Sequence, residues 1–311
     1  MTLRCDPQIH HDWSSCADRS IANLNIKGRD HMTYRETLHQ LVFQKTTARG
    51  KALSKLGYFC APFRPTSGPL RDKVIKVYQG QEDRETLQTL VTAHDAYMSL
   101  LGKLGVSAPE TDIHLLSYGA ILVPVIVQDA IETKFMMRSQ MIDADLSRAL
   151  ALMDAAGQVI AKFWNGLSPE DGRVGFHPSI RNFAIINDKA VFFDSFPPLI
   201  HYTHAEMGKI LIQFSESRLI RFIGPLAPKK FAGIQDEWYS ASETMIGLVG
   251  SACRLRPADR EVFLEWGRQF AKLEMPNFAD DILTGLERPP RLPGYWTGFR
   301  KLLGLHGEPN I

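Results

Sequence analysis

Residues 171–198, DGRVGFHPSIRNFAIINDKAVFFDSFPP, are the stretch on which the reading of this chain turns. Phe183-Ala184-Ile185-Ile186 and Ala190-Val191-Phe192-Phe193 are two apolar, β-prone runs, and Asn187-Asp188-Lys189 between them supplies turn chemistry. The pattern predicts a short hairpin with Asn182 at the mouth of its first strand and Asp194 at the end of its second. Antiparallel pairing brings those ends together, so an amide oxygen and a carboxylate converge. Hard oxygen ligands of this kind suit Mg²⁺ bound to phosphate. The bland alternative is that the two side chains only close a turn.

Working outward, residues 73–78 (KVIKVY) alternate enough for a half-buried strand in which Lys76 points away from the face of Ile75 and Val77. Residues 83–101 set Leu87, Leu90, Val91, Met98 and Leu101 at helical spacing, with Gly102 and Gly105 as stop signals. Residues 113–118 and 120–127 read as two strands, the second (AILVPVIV) running into Gln128-Asp129-Ala130. Pro124 removes one ladder donor, which predicts an edge or bulged strand. A long amphipathic helix is expected over 143–165, with Leu146, Leu150, Met153, Val159, Ile160 and Phe163 on one side. Upstream, residues 32–44 carry helical spacing at Leu38, Leu41 and Val42, with Thr33 and Glu36 as a capping box. Residues 52–57 and 58–63 suggest two strands about a turn. Downstream, helical periods cover 205–214, 237–255, 257–273 and 278–286, and Pro289, Pro290 and Pro293 end the last of them. Trp238, Trp266 and Trp296 read as packing residues.

This order of lysine strand, helix, apolar strand, helix and Asn–hairpin–Asp resembles the protein-kinase-like superfamily. The nearest spacing is that of its aminoglycoside phosphotransferase and choline-kinase branch, with H-x-D-x-x-x-x-N followed by a V-I-D-W/F type strand. The resemblance implies an α+β, bilobal fold: a polar arm over 1–30, a small antiparallel-sheet N-lobe over 31–130 and a larger, mainly helical C-lobe over 131–311. It implies ATP and Mg²⁺ as cofactors, with Asn182 and Asp194 as metal ligands and Lys76 on the α/β-phosphates. Gly57 falls in the place of a phosphate-covering loop, where a plain hairpin fits nearly as well. Gln128 and Ala130 fall at the hinge, where backbone groups meet an adenine edge. Glu85 and Asp95 are the candidate helix acids for a salt bridge to Lys76. One departure stands out: where the family carries its catalytic Asp, five residues before Asn182, this chain has His177. A neutral imidazole can accept a proton near neutral pH but supplies no negative charge. The alternative for His177 is a ring packed before Pro178 and bonded to backbone.

Composition narrows the classes. The 311 residues carry 36 basic and 34 acidic side chains, net +2, and are 44% hydrophobic. That balance argues against nucleic-acid or polybasic membrane partners. The longest apolar run, 120–127, is too short to span a bilayer, and no signal peptide is evident. Four cysteines without a CxxC fit reduced thiols and a cytoplasmic location. Cys5, His10, His11 and Cys16 lack the spacing of a common zinc module. Two functions remain in view: a small-molecule phosphotransferase acting on a hydroxyl or amine, or a catalytically altered kinase-fold protein that binds nucleotide or metabolite. The sequence leaves the acceptor and the oligomeric state open.

Overall fold

The computed structural model describes residues 30–44, 47–53, 58–223 and 233–287. Gly57, Trp296, the prolines at 289, 290 and 293, and the Cys5/His10/His11/Cys16 group lie outside the described residues. The fold is mixed α+β, with small antiparallel sheets and a helical C-terminal region.

Strands β1 (Lys73–Val77), β2 (Thr111–Tyr118) and β3 (Ile121–Asp129) form an antiparallel sheet in the order β1-β3-β2. β3 is therefore the central strand and not the edge strand expected from Pro124. The reason lies in the register. Residues facing one neighbour point both N–H and C=O toward it, and the Pro124 carbonyl accepts from Tyr78 N at 3.0 Å. The missing donor thus falls just past the last β1 pair, Val77 with Val125, and no bond to β2 is lost. The first strand expected there, over 52–57, lies mostly outside the described residues; the described part of 52–63 gives isolated pairings of Ala52 with Phe63 and Phe63 with Ile75.

The sheet separates two apolar clusters. Leu38, Leu41 and Val42 of α1 (Asp30–Phe43) pack with Phe63, Ile75, Val125 and Val127 on one face. On the other face, α2 (Arg84–Lys103) buries Leu87, Leu90, Ala93, His94, Tyr97, Leu100 and Leu101. Asp83 caps this helix by accepting from Thr86 N, a contact worth about 1 kcal/mol. Successive strand residues face opposite sides, so Ile75 enters the smaller cluster while Lys76 faces the larger one.

The helical region follows α3 (Met137–Asp143). α4 (Leu146–Gly166) begins three residues later than expected because Asp145 is its cap. Its buried face is Ala149, Leu152, Met153, Ala156, Val159, Ile160 and Phe163. α5 (His204–Gln213) and α6 (Arg218–Ile223) lead to a 3₁₀ turn at Gly233–Tyr239. α7 (Ala241–Leu255) then starts at its Ser240 cap, so the helix expected from 237 is divided at that serine. α8 (Arg260–Glu274) and α9 (Ala279–Gly285) complete the described chain. Trp238 and Trp266 both pack, partly buried, against the larger cluster. No described helix is long and apolar enough to cross a membrane.

Candidate functional site

The hairpin forms as the sequence predicts, with β4 (Phe183–Ile186) and β5 (Lys189–Phe192) paired from Phe183–Phe192 to Ile186–Lys189. Asn187 (φ 50°) and Asp188 (φ 60°) both take left-handed backbone, as a two-residue primed turn requires. Lys189 opens the second strand, which ends one residue earlier than expected. Beyond the ladder, Phe193 N donates to Asn182 O at 3.1 Å and closes the mouth.

At that mouth Asn182 Nδ2 donates to Asp194 Oδ2 (3.0 Å) and to the His177 carbonyl (2.9 Å). Two acceptors fix the amide orientation, since only the nitrogen can serve both. Asn182 Oδ1 and Asp194 Oδ1 are then left without a hydrogen-bond partner among the described residues. His177 Nδ1 stands 3.7 Å from Asp194 Oδ2, and its ring lies against Trp238 with centroids 4.6 Å apart.

Lys76 reaches the same place from the sheet. It is 8% exposed, and its Nζ donates to the carbonyl of Phe193, the residue before Asp194, at 2.8 Å. Burial pushes its pKa below the usual 10.5, and the Asp194 carboxylate opposes that shift. Cys60 sits in the same pocket, where burial raises its thiol to about 12, so it is an inert thiol at neutral pH.

The structure thus brings Lys76, His177, Asn182 and Asp194 together. Two other expectations change. Neither Glu85 nor Asp95 forms an ion pair with Lys76 among the described residues. Asp95 follows the fully buried His94, which turns its own side chain outward, 71% exposed. Glu85 is exposed in the first turn of α2 and lines an open cavity of about 340 Å³ with Gln88, Thr89, Thr92, Ala93 and His201. Gln128 and Ala130 also differ from the expectation of a free backbone edge. Gln128 lies between both neighbouring strands and donates its side-chain amide to Thr111 Oγ1 (2.9 Å), and Ala130 N donates to Asp72 O (2.9 Å). Asp171 accepts from Lys103 Nζ at 3.1 Å and caps the turn at Ser168.

Residues that sequence reasoning missed hold the segment after Asp194. Ser195 Oγ is 3.0 Å from His94 Nε2, both groups being buried. Phe196 stacks on Tyr78 (3.7 Å) and meets Phe59 and Phe214 edge-on. The available signal was His94 itself, a polar residue beside Ala93 on the apolar face of α2.

Gly175 fixes the approach of the His177 loop to the 233–239 turn. Its N–H donates to Leu199 O (2.7 Å), its carbonyl accepts from Tyr97 Oη (3.1 Å), and an added Cβ would stand 2.8 Å from Trp238 O. Backbone gives way less readily than a side-chain tip. Gly175→Ala is therefore expected to cost about 1–3 kcal/mol, seen as a lower urea midpoint at unchanged m-value.

Among the described residues no three His, Cys, Asp or Glu side chains converge as metal ligands. The hard-oxygen pair at Asn182 and Asp194 still fits Mg²⁺, which is commonly held by one or two protein oxygens with phosphate and water completing its shell. The fold and site define a mixed α+β protein with a lysine, an amide and a carboxylate gathered at one hairpin mouth. The chain belongs to the DUF6206 family, a family of unknown function, whose model matches residues 37–307. No curated protein matches it.

Proposed function

We propose that this protein is an ATP- and Mg²⁺-dependent phosphotransferase of protein-kinase-like architecture, acting on a hydroxyl or amine of a small molecule. In this reading residues 31–130 are the N-lobe and 131–311 the C-lobe. The observation that carries it is the convergence of Lys76, from the sheet, with Asn182 and Asp194, from the hairpin. One buried cation beside two hard oxygens is what a metal-bound polyphosphate needs.

Mg²⁺, held by Asp194 and the Asn182 carbonyl oxygen, would neutralise the phosphates and the charge that develops on transfer. Phosphate oxygens would supply the buried Lys76 ammonium with a counter-ion, opposing the desolvation that lowers its pKa. The acceptor oxygen or nitrogen attacks the γ-phosphorus, the bond to the β,γ-bridging oxygen breaks, and ADP leaves with those electrons. The acceptor's proton passes to His177. Because the transition state is loose, aligning the acceptor matters more than the strength of the base. With Gln128 and Ala130 engaged in the sheet, the phosphates rather than the base edge carry recognition here.

A second reading is favoured by one observation. The His177 ring lies tilted against Trp238 and faces Asp194, where the family resemblance expects a second carboxylate. A chain with this site could bind nucleotide without transferring phosphate.

Thermal-shift titration with ATP, with and without Mg²⁺, tests both. Ligand at about 100-fold over Kd adds roughly 2.7 kcal/mol, or a few degrees for a chain of this size. A Mg²⁺-dependent shift with ATP consumption against hydroxylated or aminated metabolites supports transfer, and loss of turnover with binding retained in His177→Ala places the imidazole in the chemistry. A shift with no turnover selects the second reading. No shift with any nucleotide sinks both.

A further inference from the structure

His94 is the only fully buried histidine among the described residues and the only imidazole on the apolar face of α2. Its Nε2 bonds Ser195 Oγ across 101 residues of sequence, while its Nδ1 is buried with no hydrogen-bond partner, the Asp95 carboxylate being 3.9 Å away. The contact is placed one residue past Asp194. On the other side of Asp194, Phe193 is fixed by Lys76 at its carbonyl and by Asn182 at its N–H. Beyond Ser195, Phe196 is stacked on Tyr78. The peptide units flanking the Asp194 carboxylate are therefore pinned from the sheet, the hairpin and α2, and α2's share is the His94–Ser195 bond.

Resting on the phosphotransferase reading above, we propose that His94 is a positioning residue. Its bond to Ser195 couples α2 to the Asp194 carboxylate and holds it in the orientation that receives nucleotide-bound Mg²⁺. The helix makes this link to the residue after the metal carboxylate, where an acid-to-lysine bridge was expected. A pair without a carboxylate suits the position, since a carboxylate buried beside Asp194 would compete for the cation.

The test is Mg²⁺ titration of ATP binding by the full chain, with Ser195→Ala and His94→Leu as loss variants and Ser195→Thr as the hydroxyl-preserving control. ATP binding in EDTA serves as the metal-free reference. Loss of one orienting hydrogen bond is expected to raise the Mg²⁺ concentration at half-saturation roughly tenfold in either loss variant. Metal-free ATP binding stays unchanged, and Ser195→Thr stays within about twofold of wild type. A merely structural contact lowers Tm equally with and without Mg²⁺ and leaves half-saturation where it was, and that result overturns the proposal. If one loss variant does not fold, the other carries the comparison. Wild-type protein with no Mg²⁺-dependent ATP binding overturns the phosphotransferase reading and the coupling with it. Mg²⁺-dependent binding that is unaltered in the variants overturns the coupling alone.

Discussion

Asp194→Ala is expected to remove the Mg²⁺-dependent part of ATP stabilisation and to lower turnover by on the order of 10³-fold, the scale seen when one preorganised electrostatic group is deleted. The carboxylate has two separable jobs at the hairpin mouth. One is to accept the Asn182 amide at 3.0 Å, which ties the ends of β4 and β5 together. The other, in the phosphotransferase reading proposed above, is to present a negative oxygen to Mg²⁺. Asp194→Asn keeps the shape and an acceptor oxygen while removing the charge. It is expected to melt within a few degrees of wild type and still to lose the Mg²⁺ dependence. A wild-type Mg²⁺ response in Asp194→Asn would show that the charge is not used and that the residue only closes the turn.

Lys76→Met is the second large effect, and it divides stability from binding. The ammonium is buried with a carbonyl, and no carboxylate pairs with it within ion-pair distance among the described residues. Desolvation of such a cation costs several kcal/mol, whereas the orphaned Phe193 carbonyl costs about 1–3 kcal/mol. The desolvation cost is the larger, so Lys76→Met should be more stable than wild type at neutral pH without ligand, while its ATP shift is lost. The pH dependence has a definite sign. Below the lowered pKa of Lys76 the destabilisation is fully present. Between that value and 10.5 the unfolded chain holds a proton that the folded chain has released, so stability of the free protein rises with pH through that window. ATP affinity runs the other way and weakens as the ammonium is lost. Lys76→Met abolishes both trends. A melting temperature that falls by several degrees, with ATP binding intact, would reduce Lys76 to a packing residue.

The hairpin and the lysine strand were legible in the sequence because each is specified locally. Asn187-Asp188 demands left-handed backbone, and β-strand alternation alone sends Ile75 and Lys76 to opposite faces. The helices were legible as periods, but their starts depended on single caps, Asp145 and Ser240, that periodicity does not see. What failed was partner choice over distance. Glu85 and Asp95 matched the expected helix acid in type, yet His94 takes the inward position and rotates Asp95 to solvent. Pro124 read as an edge signal because a missing donor matters only where a neighbour needs it, and the neighbour, β1, ends at Val77. Gln128 and Ala130 looked like open backbone because the sequence does not say that β1 and β2 flank β3 on both sides. The His94–Ser195 bond was invisible for the same reason: neither residue announces its partner 101 positions away.

The two apolar clusters on either face of the three-stranded sheet share no residue. Among the described residues α1 contributes only to the smaller, through Leu38, Leu41 and Val42 with Tyr34 and Phe43 packed beside them. A helix packed on only one of two separate clusters can detach as one cooperative unit while the opposite face stays intact. Amide protons of α1 should then exchange with solvent deuterium together, at a free energy below that of global unfolding, and Leu41→Ala should speed their exchange without altering that of α4. The strand bearing Lys76 belongs to both worlds, so nucleotide bound on its inner side would slow exchange in a helix that never touches it.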